Sequence, residues 1–163
     1  MMRKQLQYLV TLIAALTLVG CGFHLRDSYQ LPQSMQKLAI EASAFSEFRS
    51  VLEQRFELAG AELVPAEQAG LVVVIVNDQL NRRTLSLSQS GQVAEYELIY
   101  TVDYQLLQPD KPARELQVEV YRDYQDDPNF ALAKTREREV LVREMRDEAA
   151  RQLLRQTIAQ LIR

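Results

Sequence analysis

The feature of this sequence that most constrains its fold is a strictly alternating run from residue 94 to residue 106. Apolar side chains take the even positions of the run and mostly polar ones take the odd positions, which is the period of a β-strand. At ~3.3 Å per residue this strand would be roughly 45 Å long, beyond the usual length of strands in globular proteins. The fold must therefore accommodate one unusually long strand.

The residues before this run predict its hairpin partner. Residues 71–76 are continuously apolar, which is typical of a strand covered on both faces, and residues 77–88 continue it as a polar, alternating segment. The sequence Gln89-Ser90-Gly91-Gln92 then predicts a tight turn, with Gly91 at the position that needs a positive φ. Together the two strands predict a long hairpin that projects beyond the helix covering its base.

The rest of the chain predicts two further strands and two helices. Alternation indicates strands at residues 37–41 and about 116–124, and apolar residues at three- and four-residue steps indicate a helix over about 45–59. A second helix runs from residue 129 to about residue 162, with no Pro or Gly inside it. The order β-α-β-β-β-α predicts an α+β fold, with a mostly antiparallel or mixed four-stranded sheet and two helices packed on one face.

Helix-capping residues support these limits. Ser43 or Ser46 can cap the first helix, and Gly60 follows its end, where a left-handed residue is favoured. Asp127 followed by Pro128 is a strong start for the second helix, because aspartate caps well and proline fits the first helical position.

The beginning of the chain has the three parts of a secretory leader. Arg3 and Lys4 precede a mostly apolar core that is too short for a comfortable membrane span, and Leu18-Val19-Gly20-Cys21 follows it. This order resembles the lipobox of bacterial lipoproteins, in which the cysteine is acylated and the leader is removed. The alternatives are a buried cysteine in a membrane helix and an ordinary leader with a chance thiol. We expect a leader at residues 1–20, lipid attachment at Cys21, and a single domain at residues 21–163 with a short N-terminal tether.

The sorting of such a lipoprotein is indicated by the residue after the cysteine. That residue is Gly22, not the aspartate associated with inner-membrane retention. By the same resemblance, we expect a lipid-anchored protein of the cell outer membrane that faces the periplasm. Several acyl chains, at ~0.8 kcal/mol per buried CH₂, would anchor it without a spanning helix.

Composition argues against nucleic-acid binding and catalysis. Removing the leader takes two of the 19 basic residues and none of the 22 acidic ones, which leaves a mature charge of −5 and no basic footprint for nucleic acid. The single histidine, His24, lies beside the expected anchor, and the sequence has no phosphate loop, nucleophile elbow or metal-ligand spacing. Glu95 and Glu97 could serve as paired carboxylates, but a solvated strand face explains them more simply. We expect a protein that is not an enzyme, with no metal and no cofactor besides the covalent lipid.

With catalysis and nucleic-acid binding set aside, the remaining class of function is binding through surface shape and charge. Arg82 and Arg83 lie on the predicted hairpin, and guanidinium groups suit phosphates. Lys134 opens a charged cluster on the last helix that is most simply a solvated face. A lipid with phosphorylated sugars is a plausible ligand in this compartment.

Several segments resemble the family of LPS-assembly lipoproteins called LptE. The mature opening Cys21-Gly22-Phe23-His24-Leu25-Arg26-Asp27 is one, and Gly91-Gln92 followed by Ala94-Glu95-Tyr96 is another. On the last helix the matching segments are Asn129 with Ala131-Leu132-Ala133-Lys134, then Glu144-Met145 and Ala149-Ala150-Arg151-Gln152-Leu153. The similarity covers nearly the whole chain in the same order, and the motifs are specific only in combination.

The resemblance implies a non-catalytic protein that plugs the β-barrel of LptD, helps that barrel assemble, and binds lipopolysaccharide (LPS) on its way to the outer leaflet. The family's basic LPS-binding residues lie near the hairpin tip and at the start of the last helix, where Lys134 matches. At the tip this chain has Gln89 where relatives carry arginine. Arg82 or Arg83 could compensate, although they lie about six residues, or roughly 20 Å, along the strand.

Two functions from different classes stay open at this point. One is the LPS-binding partner of the LptD barrel, with Lys134, Arg82, Arg83 and Gln89 as candidate contacts. The other is a periplasm-facing accessory or pilot lipoprotein of another envelope transport or assembly system.

Overall fold

The computed structural model describes residues 31–43 and 46–162 of the 163-residue chain. It contains five strands and two α-helices in this part of the chain. In chain order they are β1 (Lys37–Glu41), α1 (Glu47–Leu58), β2 (Glu62–Leu63), β3 (Leu71–Leu87), β4 (Val93–Leu107), β5 (Arg114–Gln125) and α2 (Ala131–Ile162). The predicted leader, Cys21 and its tether, and Phe45 at the predicted start of the first helix lie outside the described residues.

The strands form one mixed sheet in the order β2-β1-β3-β4-β5. β1 pairs parallel with β2 and β3, whereas β3-β4-β5 is antiparallel. The predicted α+β class is therefore confirmed, with a correction to the strand count, which is five instead of four. The additional strand, β2, consists of two residues beside Lys37 and Leu38, and so short a segment leaves no periodicity in the sequence.

The long hairpin is present as predicted. β3 has 17 residues and β4 has 15, and the ladder runs from Val72 opposite Leu107 to Leu87 opposite Val93. Gly91 at the turn has φ 79°, a value that favours glycine. Register shifts occur between Ile75 and Asn77 and again near the tip, and such bulges bend and twist a strand locally.

Both helices pack on the same face of the sheet. On that face β4 presents its even-numbered residues: the ring of Tyr100 lies 5.9 Å from the ring of Phe48 in α1, and the Tyr104 hydroxyl donates to Gln156 of α2 at 3.2 Å. The fully buried side chains Phe48, Leu52, Phe56, Met145, Leu153, Leu71, Val73 and Val102 form the centre of the core. The two-helix, one-face arrangement was thus correctly predicted.

Local signals explain where the helices begin and end. The Ser46 hydroxyl accepts a hydrogen bond from the Arg49 amide at 3.2 Å, so Ser46 is the cap of α1, and Gly60 follows the helix with φ 93°. The Asp127 carboxylate accepts from the Asn129 amide at 2.9 Å and opens a 3₁₀ turn that leads into α2.

The opposite face of the sheet carries no helix within the described residues. Its β4 and β5 positions are mostly polar and acidic: Glu97 lies opposite Asp123, Thr101 opposite Glu119, and Ile99 opposite the exposed Tyr121. This matches the mostly polar odd positions of the alternating run 94–106. We refer to this surface as the open face.

Candidate anion-binding site

A cavity of about 200 Å³ lies between the helix-bearing face of the hairpin and the first turns of α2. Its lining combines basic, aromatic and small side chains: Arg82, Tyr96, Leu98, Tyr124, Asp126, Ala131, Lys134, Thr135 and Arg138. Three cations against one carboxylate give the lining a net positive charge. We call it the hairpin–helix cavity.

Lys134 is held in the first turn of α2 by its neighbours. The Tyr124 hydroxyl donates to the Lys134 carbonyl at 3.0 Å, and the Lys134 ammonium lies 5.5 Å from the centre of the Tyr124 ring. The ammonium also donates to the Glu137 carboxylate at 2.9 Å. This hydrogen bond raises the pKa of Lys134 above its usual value, so the side chain stays cationic at neutral pH.

The Lys134 ammonium keeps capacity for a ligand despite this pairing. An ammonium group has three donors, of which the Glu137 contact uses one. The Lys134 side chain lines the cavity and is 21% exposed, so part of its surface is already shielded from water.

Arg82 lies on the opposite wall of the cavity. It comes from β3, opposite Leu98 in the ladder, and its guanidinium carbon lies 4.8 Å from the centre of the Tyr96 ring. Stacking of this kind fixes the guanidinium plane while leaving its edge free to donate hydrogen bonds. The structure thus places two of the predicted residues, Arg82 and Lys134, around a single cavity.

The other two predicted residues lie elsewhere. Arg83 is on the open face, where a guanidinium nitrogen lies 2.6 Å from a carboxylate oxygen of Glu97, its partner in the ladder. Adjacent strand residues point to opposite faces, so Arg82 and Arg83 cannot serve the same cavity. Gln89 is exposed in the hairpin turn, outside the cavity lining.

Arg138 and the two tyrosines were missed as site residues by the sequence reasoning. Arg138 belongs to the charged cluster that Lys134 opens, which was interpreted as a solvated helix face, although its four-residue spacing from Lys134 places both on one side of α2. Tyr96 and Tyr124 belong to the apolar alternation of the strands, and nothing in that pattern distinguishes a tyrosine beneath a cation from one in the core.

Three further observations bear on the chemistry of the described residues. Residues 31–43 and 46–162 hold no cluster of three or more His, Cys, Asp or Glu side chains arranged to bind a metal ion. Neither α1 nor α2 is long and apolar enough to cross a membrane. A larger hollow of about 460 Å³ lies near the end of β4, but its charged residues are Asp103 and Glu115, which would repel an anion.

The sequence of this chain is similar to those of known proteins. The family model described as "LptE: Lipopolysaccharide-assembly" matches residues 35–157. The chain is 35% identical over 160 residues to the LPS-assembly lipoprotein LptE of Yersinia enterocolitica, covering 96% of this chain and 77% of that protein.

Two solved structures of lipoproteins are also similar to this chain. The rare lipoprotein B from Shewanella oneidensis superposes with a TM-score of 0.70 and 40% identity, covering 77% of this chain and 96% of that chain. The lipoprotein B from Nitrosomonas europaea gives a TM-score of 0.71 and 32% identity, over 86% and 92% of the two chains. The fold is thus shared with lipoproteins from Shewanella and Nitrosomonas.

Proposed function

The chain belongs to the LptE family of lipopolysaccharide-assembly proteins, and from that premise we propose that it binds LPS directly, through the hairpin–helix cavity. A role in LPS assembly follows from the family. The proposal adds the ligand contact, the lipid anchor at Cys21, the LptD barrel as partner, and a non-catalytic mode of action.

The observation that carries the ligand contact is the approach of Arg82 and Lys134 from opposed walls of one cavity. Lipid A phosphates are anionic groups on sugar rings, and they would meet a guanidinium fork on one side and an ammonium on the other. The tyrosine rings that lie beneath these cations offer the apolar surface expected in a ligand pocket. Gln89 at the hairpin tip is not needed for this contact, because Arg82 supplies the hairpin cation.

Family membership also supports the LptD barrel as the partner over another envelope system. The exposed part of β3 is long: its last buried residue is Ile75, twelve positions before the strand ends, whereas β4 is buried as far as Leu98, opposite Arg82. Past Arg82 and Leu98 the hairpin residues are exposed or half-buried, and β5 pairs with β4 as far as Glu95, so this end of the sheet is three-stranded almost to the tip. Such a projecting end suits insertion into a pore. The lipid on Cys21, followed by Gly22, would place the chain in the outer membrane, facing the periplasm.

Photocrosslinking in cells would test both contacts. A crosslinking amino acid at Thr135, which lines the cavity, should capture LPS, whereas one at Gln117 on the open face should not. A crosslinker at Gln89 should capture the barrel if the hairpin enters it. Recovery of the protein from detergent extracts only as a monomer, with no LPS adduct at Thr135, would contradict the proposal.

A further inference from the structure

A second basic cleft lies farther along α2. It has a volume of about 420 Å³ and is lined by Glu47 from the start of α1 and by Arg138, Glu139, Val142, Arg143 and Arg146 from α2. Three guanidinium groups face two carboxylates, so the lining is net positive. We call it the arginine cleft.

The arginine cleft adjoins the hairpin–helix cavity. Arg138 lines both of them, and from there the cleft continues along α2 to Arg143 and Arg146. At 1.5 Å rise per residue, Lys134 and Arg143 are separated by roughly 13 Å along the helix axis. The two basic sites are thus consecutive along one helix and joined by a shared arginine.

Two of the three arginines are available to a ligand. Arg138 and Arg143 are exposed, and neither forms an ion pair with another residue in the ranges 31–43 and 46–162. Guanidinium groups keep their charge at any physiological pH. Both side chains line the cleft, so their donors are available to a ligand bound there.

Arg146 already holds an anion there. One of its guanidinium nitrogens lies 2.6 Å from a carboxylate oxygen of Glu47, and its central carbon lies 5.9 Å from the Tyr100 ring. Its Nε atom is buried without a hydrogen-bond acceptor within the described part of the chain. The Glu47 side chain is 72% exposed and can move aside at little cost, so an incoming anion can compete with it.

We propose that the arginine cleft binds a second phosphate of the same lipid whose first phosphate occupies the hairpin–helix cavity. This inference rests on the proposed function, because it requires LPS to be bound at Lys134 and Arg82. A bisphosphorylated lipid A would span the two sites along α2, with Arg138 between its phosphates. The second phosphate displaces Glu47 from Arg146 and takes bidentate hydrogen bonds from Arg143 and Arg146.

The test compares ligands that differ by one phosphate. The full-length acylated chain, purified in detergent with its barrel, is titrated with bisphosphorylated lipid A, monophosphoryl lipid A and inorganic phosphate. Arg143→Gln should weaken bisphosphorylated lipid A binding about fivefold to tenfold, the loss expected for one charged hydrogen-bonding group, and monophosphoryl lipid A binding less than about twofold. Arg136→Gln is the matched control, because Arg136 is exposed on the same helix but lines neither site.

Glu47→Gln provides a test in the opposite direction. It frees Arg146 without changing side-chain size, so it should tighten bisphosphorylated lipid A binding at low salt. If the ion pair is purely structural, Glu47→Gln should instead lower the thermal midpoint with no gain in affinity. That result would overturn the proposal that the cleft binds a phosphate.

The remaining outcomes separate this inference from the proposed function. An equal loss of affinity for both lipids in Arg143→Gln, or an equal loss in Arg136→Gln, would show general charge attraction. Either result would overturn the proposed phosphate site in the arginine cleft. Binding that depends on Lys134 but not on Arg143 would overturn the cleft and leave the proposed function standing. Saturable inorganic phosphate binding at Arg143, with no preference between the lipids, would identify free phosphate as the ligand. Absence of lipid binding in the unaltered chain would overturn both.

Discussion

The Tyr100 hydroxyl donates a hydrogen bond to one carboxylate oxygen of Asp78 at 2.9 Å, between the two long strands of the hairpin. The other oxygen of Asp78 accepts from the Ser46 hydroxyl at 3.1 Å, and Ser46 is the cap of α1. Tyr100 is 1% exposed, so its hydroxyl depends on this acceptor. A single carboxylate therefore ties the hairpin to the start of α1.

Asp78→Ala should lower the free energy of unfolding by about 1–3 kcal/mol, because the buried Tyr100 hydroxyl loses its partner. Urea unfolding followed by circular dichroism measures the change. Asp123→Ala is the control, since Asp123 is an exposed strand residue, and its loss should change the free energy by less than about 0.5 kcal/mol. Equal effects in the two variants would contradict the buried link.

The buried tyrosines predict a loss of stability at alkaline pH. Burial raises the pKa of Tyr104 from 10.0 to about 12, and burial, with Asp78 adding to it, raises the pKa of Tyr100 further. Above about pH 10 the unfolded chain releases these protons while the folded chain keeps them, so the free energy of unfolding falls as the pH rises. Within this window each tyrosine lowers the free energy of unfolding by about 1.4 kcal/mol for each unit that the pH rises. Below the window the free energy of unfolding does not depend on their titration.

Tyr104→Phe isolates one of these contributions. Urea midpoints of the unaltered chain and the variant should differ by a constant amount up to about pH 9 and converge between about pH 10 and pH 12, because phenylalanine cannot titrate. Parallel curves across that window would mean that the pKa of Tyr104 is the same in the folded and unfolded chain.

The sequence predicted the strands and helices of this fold much better than the contacts between them. The alternation of residues 94–106 correctly predicted β4. One face of this strand is buried along nearly its whole length, and a strand with one buried face shows apolar residues at every second position of its sequence. The hairpin–helix cavity depends on how α2 lies across the hairpin, which brings Arg82 beside Lys134 although they are 52 positions apart. That packing is long-range, and the alternation predicts only that Arg82 and Arg83 point to opposite faces.

Arg82 and Arg83 form a matched pair for the ligand contact. Arg82→Gln should weaken LPS binding about fivefold to tenfold, because it removes a stacked guanidinium from the hairpin–helix cavity. Arg83→Gln makes the same change of charge one residue away, on the open face, and should change binding less than about twofold. Equilibrium binding of LPS to both variants in the same detergent measures the difference. Equal losses would mean that the hairpin contributes charge without a specific site.

Lys134→Glu should weaken LPS binding more than Arg82→Gln, since it also reverses the sign of the charge beside Glu137. The difference from the unaltered chain should shrink as salt is raised from about 0.05 M to 0.5 M, because screening reduces interactions of partly exposed charges. A thermal unfolding scan checks that α2 is intact. Unchanged binding at the lower salt concentration would remove Lys134 from the site.

Cys21 tests whether the anchor and the folded body are separate parts. A Cys21→Ala chain exported behind an ordinary cleavable leader cannot form the thioether to diacylglycerol, so only the barrel would hold it at the membrane, and the variant overproduced without extra barrel should be recovered in the soluble fraction. Within the described residues, 31–43 and 46–162, α1, α2 and the sheet form a continuous core, and Arg82 and Lys134 of the hairpin–helix cavity also lie there. The soluble variant should therefore keep the thermal midpoint and the LPS affinity of the acylated chain, as measured by calorimetry and equilibrium binding. A variant that is released but unfolded would show that the anchor segment is part of the fold.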